Sequence, residues 1–521
     1  MMGVLGLLVV LAIRPWSSVD ENAHADYGLT LVFQHRLPTL FDRVTPLLPG
    51  MNPGIQHVAN HPPLFYLFTG PLLALGRVAG HPIAGYETAR LVSVVASVGT
   101  VLLTAGLAHV LFGGRRPQIT IGAAALAATF PFFVLVSGVL HNDATAIFFS
   151  AAATLCSAIV LLRGPSRGRV GLLALVCLAG LATRSSNATL LLVGASAALL
   201  AVVIHTPAPQ RWRRGLRRGV GAGVFVGGSS VAGIGWFYLR SIELYGEVNG
   251  YGALSQVAHR YPRERLWLLR HPQLIPYQLG LTDRTPGLGL RELLSLGAAA
   301  LIVLGLLVAV VRVSRRWYRA PGLTDEQRVR RAAVSAFVVL MLGNAGLTCA
   351  TVLRHVDLGG GVQVRYLFPL LSIGAVTAAA ALTALPLRRT GLPLAVVIVV
   401  EYGICIERIG AYSWSWVSRQ ATGPTFAGLR DGMARLGVPL PTVTLGLLLA
   451  VGAAAVAVVL VSLARTGAVR RAPALGRSVP GADLVTVVVS ELPTGAVPLP
   501  RPGHAAADRV VADAPVVAGA R

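Results

Sequence analysis

HPPLFYLFTGPLLALGRV, residues 61–78, is the stretch whose reading decides the fold. Leu64 to Val78 is apolar enough to be counted as a membrane crossing. That count inverts the sidedness of every later loop and moves the arginine clusters to the outer face. Cytoplasmic loops of membrane proteins carry the excess of basic residues, so the stretch is expected instead as an interfacial or half-inserted helix lying on the outer membrane face. Pro62-Pro63 suits its start, because proline is tolerated in a first helical turn.

Composition sets the frame around this stretch. Hydrophobic residues make up 54% of the 521 residues and charged ones only 13%, with mean hydropathy +0.67. A soluble chain carries about a quarter charged residues, and several uncharged runs here approach the roughly 20 residues that cross a bilayer. The expected fold is all-α: a polytopic transmembrane helical bundle. The spans are read at 3–19, 90–112, 118–139, 144–162, 170–183, 188–204, 219–238, 292–312, 332–353, 366–386, 391–408 and 442–463, about 12 in all. Residues 2–13 lack a basic preceding region, and Arg14-Pro15-Trp16 follows where a cleavage site would have small residues, so they are read as a first span rather than a signal peptide.

Net charge is +24, and the chain contains no lysine. The arginines lie in short clusters between apolar runs: Arg115-Arg116, Arg163/Arg167/Arg169, Arg211 to Arg218, Arg312 to Arg331, Arg388-Arg389 and Arg465 to Arg477. This is a topological pattern rather than a nucleic-acid footprint, and no nucleic-acid partner is expected. It places both termini in the cytoplasm of a multi-pass plasma-membrane protein. The long loops 20–89 and 239–291 then face outward, as do the shorter ones near 140–143, 184–187, 354–365 and 409–441. Residues 1–464 form the membrane domain and 465–521 a disordered cytoplasmic tail. The short segments 170–183 and 188–204 are read as a hairpin, the alternative being one kinked helix. Gly215, Gly219, Gly223 and Gly227 recur every four residues, which allows close helix approach. Cys156, Cys177, Cys349 and Cys405 are scattered and read as small core residues.

Ionisable groups at a membrane edge persist for function. Asp20-Glu21, with His24 and Asp26 beside them, follow the first apolar run. A carboxylate there can accept a proton from an attacking hydroxyl; the alternative is a helix cap or a solvated charge. Asn142-Asp143 opens a span on the same side, where Asn and Asp are also preferred caps. Arg184, Arg240 and Arg365 stand at outward span ends, placed to clamp a phosphate through paired charge-assisted hydrogen bonds or simply to snorkel. His57 and His61, four apart, have a spacing that zinc sites use, but no glutamate accompanies them and Pro62 interrupts a helix. No cofactor is assigned; a divalent cation stays open as an alternative.

These elements resemble, in order, the GT-C superfamily of membrane glycosyltransferases, which includes protein O-mannosyltransferases and lipid A aminoarabinose transferases. The matching elements are Asp20-Glu21 after the first span, HPPLFYL at 61–67, Ala89-Arg90-Leu91, the acidic turn at Asp143, and Arg365-Tyr366-Leu367-Phe368-Pro369. Trp236-Phe237-Tyr238-Leu239-Arg240 with Tyr245-Gly246 resembles the entry into the family's second large outer loop. The resemblance implies a sugar donor on polyprenyl phosphate and a glycan, lipid or protein hydroxyl acceptor, met at the outer face among membrane lipids. Asp20, with Glu21 beside it, matches the catalytic position, and Asp143 a second acidic one. The substrate-binding candidates are His24, His61, Tyr66, Asn142, Arg184, Arg240, Tyr245, Arg365 and Tyr366. A lipid phosphate leaves readily, so one base and nearby cations suffice. A transporter or flippase of lipid-linked saccharides is the competing reading. It is disfavoured because the spans are nearly free of charge, whereas transporters carry polar groups at mid-membrane.

Overall fold

The computed structural model describes residues 1–16, 20–45, 54–279, 281, 289–318, 322–387, 391–418 and 423–468. The Arg388-Arg389 cluster and the tail beyond residue 468 lie outside the described residues. Helices dominate. In chain order they are α1 (Met2–Ala12), α2 (Glu21–Phe33), α3 (Leu64–Val78), α4 (Pro82–Phe112), α5 (Pro117–Ala128), α6 (Pro131–Ser137), α7 (Asn142–Arg163), α8 (Arg167–Leu181), α9 (Ala188–His205) and α10 (Leu216–Tyr245). The short α11 (Tyr251–Val257), α12 (Trp267–Arg270) and α13 (Ile275–Gln278) fill the second loop. Then follow α14 (Leu290–Tyr318), α15 (Asp325–Asp357), α16 (Leu371–Ala384), α17 (Leu392–Ser418), α18 (Thr425–Arg435) and α19 (Pro441–Ala468). The described β structure is a two-residue antiparallel pair, β1 (Arg43–Val44) with β2 (Gly54–Ile55).

Among the described residues, eight helices are long and apolar enough to cross a membrane, or nine if the bent α5–α6 pair is one span. Twelve was expected, and the shortfall has local causes. The run at 3–19 is helical only over Met2–Ala12, 11 residues, because Arg14 precedes Pro15 and a residue before proline is driven out of the helical region; residues 17–19 lie outside the described residues. The run at 118–139 bends by 62° where Thr129 and Phe130 lead into Pro131. The run at 170–183 forms a helix of 15 residues, and the run at 391–408 lies in α17, which carries Glu401, Glu407 and Arg408 and is not among the eight. The last apolar helix extends to Ala468, past the expected boundary at 464.

Leu64–Val78 is a separate helix of 15 residues. At 1.5 Å per residue it is about 22 Å long, short of a hydrocarbon core of about 30 Å. Its buried side carries Phe65, Tyr66, Leu73 and Ala74, while Leu67, Phe68, Leu75 and Val78 are exposed. It packs between α2 and α4 at glycine contacts: Gly70 lies on the Gly28 backbone and Gly76 on that of Gly85. The hairpin reading of 170–204 agrees with the structure. Cys177 Sγ is 3.8 Å from the Leu190 carbonyl, and Gly194 lies against the side chains of Cys177 and Leu173. A single kinked helix could not bring residue 173 beside residue 194. Gly219 and Gly223 rest α10 on backbone carbonyls of α9, those of Leu199 and Ala195.

One buried arginine ties the first elements together. Arg90 on α4 is fully buried. Its Nη1 donates to the Ile13 carbonyl at 2.8 Å and its Nη2 to that of Arg14 at 3.0 Å. Those bonds satisfy carbonyls that the end of α1 leaves orphaned. The same guanidinium grips Glu21 through Nε–Oε1 at 3.0 Å and Nη2–Oε2 at 2.9 Å. Glu21 Oε1 also accepts from the Leu140 amide at 2.7 Å, just before α7. Four segments therefore meet at one ion pair.

Candidate active site

Asp20 caps the start of α2 in the left-handed backbone region, φ 71°, and its side chain makes no capping bond. An N-cap aspartate ordinarily bonds the amides of its own helix. Here the carboxylate is turned instead toward three cationic or imidazole groups. His57 Nε2 lies 2.7 Å from Oδ1, Arg365 Nη2 lies 3.1 Å from Oδ2, and His141 Nε2 stands 3.9 Å from Oδ2. Burial opposes ionisation, but the neighbouring His141, the hydrogen bond with His57 and the charge of Arg365 outweigh it. The Asp20 carboxyl is held well below the usual carboxylate range.

Asp143, in the first turn of α7, forms ion pairs with Arg184 and, at 3.7 Å, with Arg365. Arg184 also donates to Asn142 Oδ1 at 3.3 Å, and Asn142 donates to the Thr183 carbonyl at 3.2 Å, which joins the start of α7 to the end of α8. Burial, and then the charge of Arg365, pull Arg184 down to about 10. Between the two carboxylates sits His141. Arg365 Nη1 is 2.8 Å from His141 Nε2. A guanidinium has no acceptor, so Nε2 must accept, while Nδ1 accepts from the Asp143 amide at 3.1 Å. That nitrogen is 3.2 Å from Asp143 Oδ2. Burial and the neighbouring arginines lower His141 to about 3, so it stays neutral at ordinary pH.

These groups line a cavity of about 530 Å³. Asp20, His57, His61, His141, Asp143, Arg184, Arg365 and Tyr366 face it near the ends of the helices. Glu247, Asn249 and Arg260 reach it from the second loop. Ala146, Ile147, Thr189, Thr348 and Val352 continue its wall down between α7, α9 and α15. A cavity of this volume is in the range of small-molecule binding sites.

The structure thus brings together Asp20, Asp143, His61, Arg184, Arg365 and Tyr366, which the sequence singled out from five separate segments. It keeps the others away from the cavity. Glu21 is closed into the pair with Arg90 at 0% exposure. His24 and Tyr66 are fully buried behind the wall, with the Tyr66 hydroxyl 2.8 Å from His24 Nδ1 and the Tyr66 ring stacked on Tyr27 at 3.6 Å. Asn142 is buried and braces Arg184. Arg240 donates to the Leu37 and Pro38 carbonyls at 3.2 and 3.1 Å, and the Tyr245 hydroxyl accepts from the Leu40 amide at 3.0 Å. Those two hold the first loop against α10.

His141, His355 and Arg260 were not anticipated in the cavity, and His57 was weighed only as half of a metal spacing. His141 directly precedes the Asn142-Asp143 turn, and that adjacency was the available signal. Among the described residues, no group of three or more His, Cys, Asp or Glu side chains is gathered closely enough to hold a metal ion.

Fold and site together define a multi-pass helical membrane protein with an arginine- and carboxylate-lined cavity at one end of its helices. Residues 60–227, roughly a third of the chain, match the family described as dolichyl-phosphate-mannose-protein mannosyltransferase. Over that stretch the resemblance to GT-C membrane glycosyltransferases is borne out. Among solved structures, the chain is similar to ArnT from Cupriavidus metallidurans bound to undecaprenyl phosphate, at 15% identity and TM-score 0.47, covering 90% of this chain and 74% of that one. It is also similar to the archaeal oligosaccharyltransferase AglB from Archaeoglobus fulgidus in complex with an inhibitory peptide and a dolichol-phosphate. There the identity is 12% and the TM-score 0.39, covering 89% of this chain and 55% of that one. No curated protein matches the chain.

Proposed function

We propose that this chain transfers a sugar from a polyprenyl-phosphate donor to a hydroxyl acceptor at the outer face of the membrane, with Asp20 as general base. The observation that supports this most is the convergence of Asp20, Asp143, Arg184 and Arg365 on one cavity beside apolar helices. In the reaction, the acceptor oxygen forms a bond to the anomeric carbon and its proton goes to Asp20. The carbon–oxygen bond to phosphate breaks, and its electron pair leaves with the polyprenyl phosphate. One base at the acceptor favours a single displacement with inversion. Arg365 and Arg184 stabilise the departing phosphate by charge-assisted hydrogen bonds.

The pairing of Arg365 with Asp20 bears on the base. A carboxylate held by arginine has little affinity for a proton. A phosphate that draws Arg365 toward itself weakens that hold and raises the basicity of Asp20 when donor is bound. Glu21 acts in this reading through Arg90, by fixing the α2 start that presents Asp20. Residues 1–464 constitute the transferase unit with outer loops 20–89 and 239–291, and residues 465–521 a cytoplasmic tail.

The test uses membranes containing the full chain and polyprenyl phosphates bearing tritiated mannose, glucose, galactose, arabinose or aminoarabinose. Release of polyprenyl phosphate from one of them, above membranes lacking the chain, is expected; no release from any would refute the transferase reading. Sidedness is read separately from Arg217→Cys and Arg265→Cys. Labelling of position 265 but not 217 by an impermeant thiol reagent is expected, and labelling of 217 from outside would overturn the topology.

A further inference from the structure

A carboxylate clamped by Arg365 is a weak proton acceptor, which raises the question of where the acceptor's proton resides after transfer. His57 answers it by geometry. Its Nδ1 lies 2.9 Å from the Ile55 carbonyl, and its Nε2 lies 2.7 Å from Asp20 Oδ1. A carbonyl only accepts, so Nδ1 bears a proton in every state of the ring. Nε2 is then the only titrating position, and it faces Asp20. A bare nitrogen lone pair and a carboxylate repel at 2.7 Å, so the observed contact contains one bridging proton.

The loop is built to hold this pairing. Gln56, next to His57, is fully buried. Its Nε2 donates to the Ala23 carbonyl at 3.0 Å and to Asp26 Oδ2 at 2.8 Å, both on α2. Asp26 Oδ1 in turn accepts from the Thr45 amide at 3.0 Å, at the end of β1, and β1 pairs with β2, which contains Ile55. The carbonyl that fixes the His57 tautomer and the helix that presents Asp20 are thus bolted together by Gln56 and Asp26.

We propose that His57 receives the proton that Asp20 takes from the acceptor hydroxyl, so that the working base is a carboxylate–imidazole pair. The inference rests on the transferase reading above. The protonated contact seen here is the form left after transfer; the form ready to react is neutral His57 with ionised Asp20, from which the bridging proton has been lost. Transfer moves the hydroxyl proton through Asp20 to Nε2, and the imidazolium–carboxylate pair left behind returns it to water. His57 is a positioning residue here, since it touches Asp20 and not the substrate.

Other charges act on the same ring. Burial disfavours the imidazolium, the hydrogen bond and charge of Asp20 favour it more, and Arg260 from the second loop opposes it; the net effect raises His57 above the ordinary histidine value. Burial, then neighbouring histidines for His24 and Arg184 for His61, hold those two rings well below it, so they stay neutral over the same range. His141 is likewise neutral. Arg365 keeps its charge on the far oxygen of Asp20. Transfer should therefore fall on the acid side with a midpoint above the ordinary histidine value, because acid converts His57 to the form that cannot accept. Asp20 alone, already ionised, gives no such limb.

The test has two arms on the full-length protein. Histidine-labelled NMR with His57→Gln as the assignment control reads the ring directly and needs no substrate. A midpoint above that of free histidine, shifted downward in Asp20→Asn, is expected; a midpoint at or below it, or one unmoved in Asp20→Asn, overturns the proposal. In the donor panel, His57→Gln should lose about 10²-fold in kcat with donor KM unchanged and should lose the acid limb. A His57→Gln enzyme with the wild-type rate and pH profile overturns the relay. If wild-type turns over none of the donors, the transferase reading fails, and the NMR arm alone decides the Asp20–His57 pair.

Discussion

Replacing Glu21 and replacing its neighbour Asp20 should damage this protein in opposite ways. Glu21 is at 0% exposure and accepts three hydrogen bonds, two from Arg90 and one from the Leu140 amide. Glu21→Ala leaves the Arg90 guanidinium buried and uncompensated, and removing one partner of a buried pair costs about 3–5 kcal/mol. Glu21→Gln keeps the shape and an acceptor, so its cost should approach that of a lost charge-assisted hydrogen bond, about 1.5–3 kcal/mol. Replacing both members by methionine should recover part of the loss. It should not recover all of it, because Arg90 also satisfies the Ile13 and Arg14 carbonyls. The assay is thermal melting of solubilised protein followed by size exclusion, with transfer measured per folded molecule. The account predicts a lowered melting temperature in the order Glu21→Ala below Glu21→Gln below wild type, with transfer per folded molecule within a few-fold of wild type. A Glu21→Ala protein that melts like wild type but has lost transfer would refute the reasoning and place Glu21 in the chemistry.

Two further outcomes follow from the packing and the cations. Gly76→Leu should destabilise by about 1–3 kcal/mol and detach α3 from α4, because even a Cβ at this position meets the Gly85 backbone; proteolysis between Gly80 and Pro82 in the mutant but not in wild type is the readout, and unchanged resistance contradicts the packing. Arg184→Gln should raise the donor KM more than it lowers kcat, because Arg184 pairs with Asp143, whereas Arg365→Gln should lower kcat, since Arg365, unlike Arg184, contacts Asp20 as well as Asp143; the reverse pattern would exchange their roles.

Sequence and structure agree best where physics acts over short range. Apolar runs became helices, and the charge argument at Leu64–Val78 correctly set that helix apart from the long ones, because the arginine pattern reports on many loops at once. The convergence of Asp20, Asp143, Arg184 and Arg365 was also legible, since all four sit at helix ends that the same pattern puts on one side. The split between Asp20 and Glu21 was not legible. Adjacent residues at a helix start point in different directions, and the left-handed backbone at Asp20 decides which one reaches the cavity. The partner that closes off Glu21 lies 69 residues away. Tyr66, Arg240 and Tyr245 carry motif-like surroundings, but Tyr66 packs α3 on α2 and the other two hold the first loop against α10, and only tertiary contacts distinguish that from contact with a substrate. His57 and His141 were concealed because a histidine's role is set by what faces its second nitrogen, which sequence spacing does not reveal.

The central claim is that Asp20 removes the acceptor's proton, and Asp20→Asn tests it most directly. The substitution keeps the size of the side chain and an oxygen for Arg365 while abolishing the proton acceptor. In membranes supplied with the donor that wild type turns over, the account predicts a loss of at least about 10²-fold in kcat with the melting temperature preserved. Sugar transfer by Asp20→Asn at a near-normal rate would contradict it.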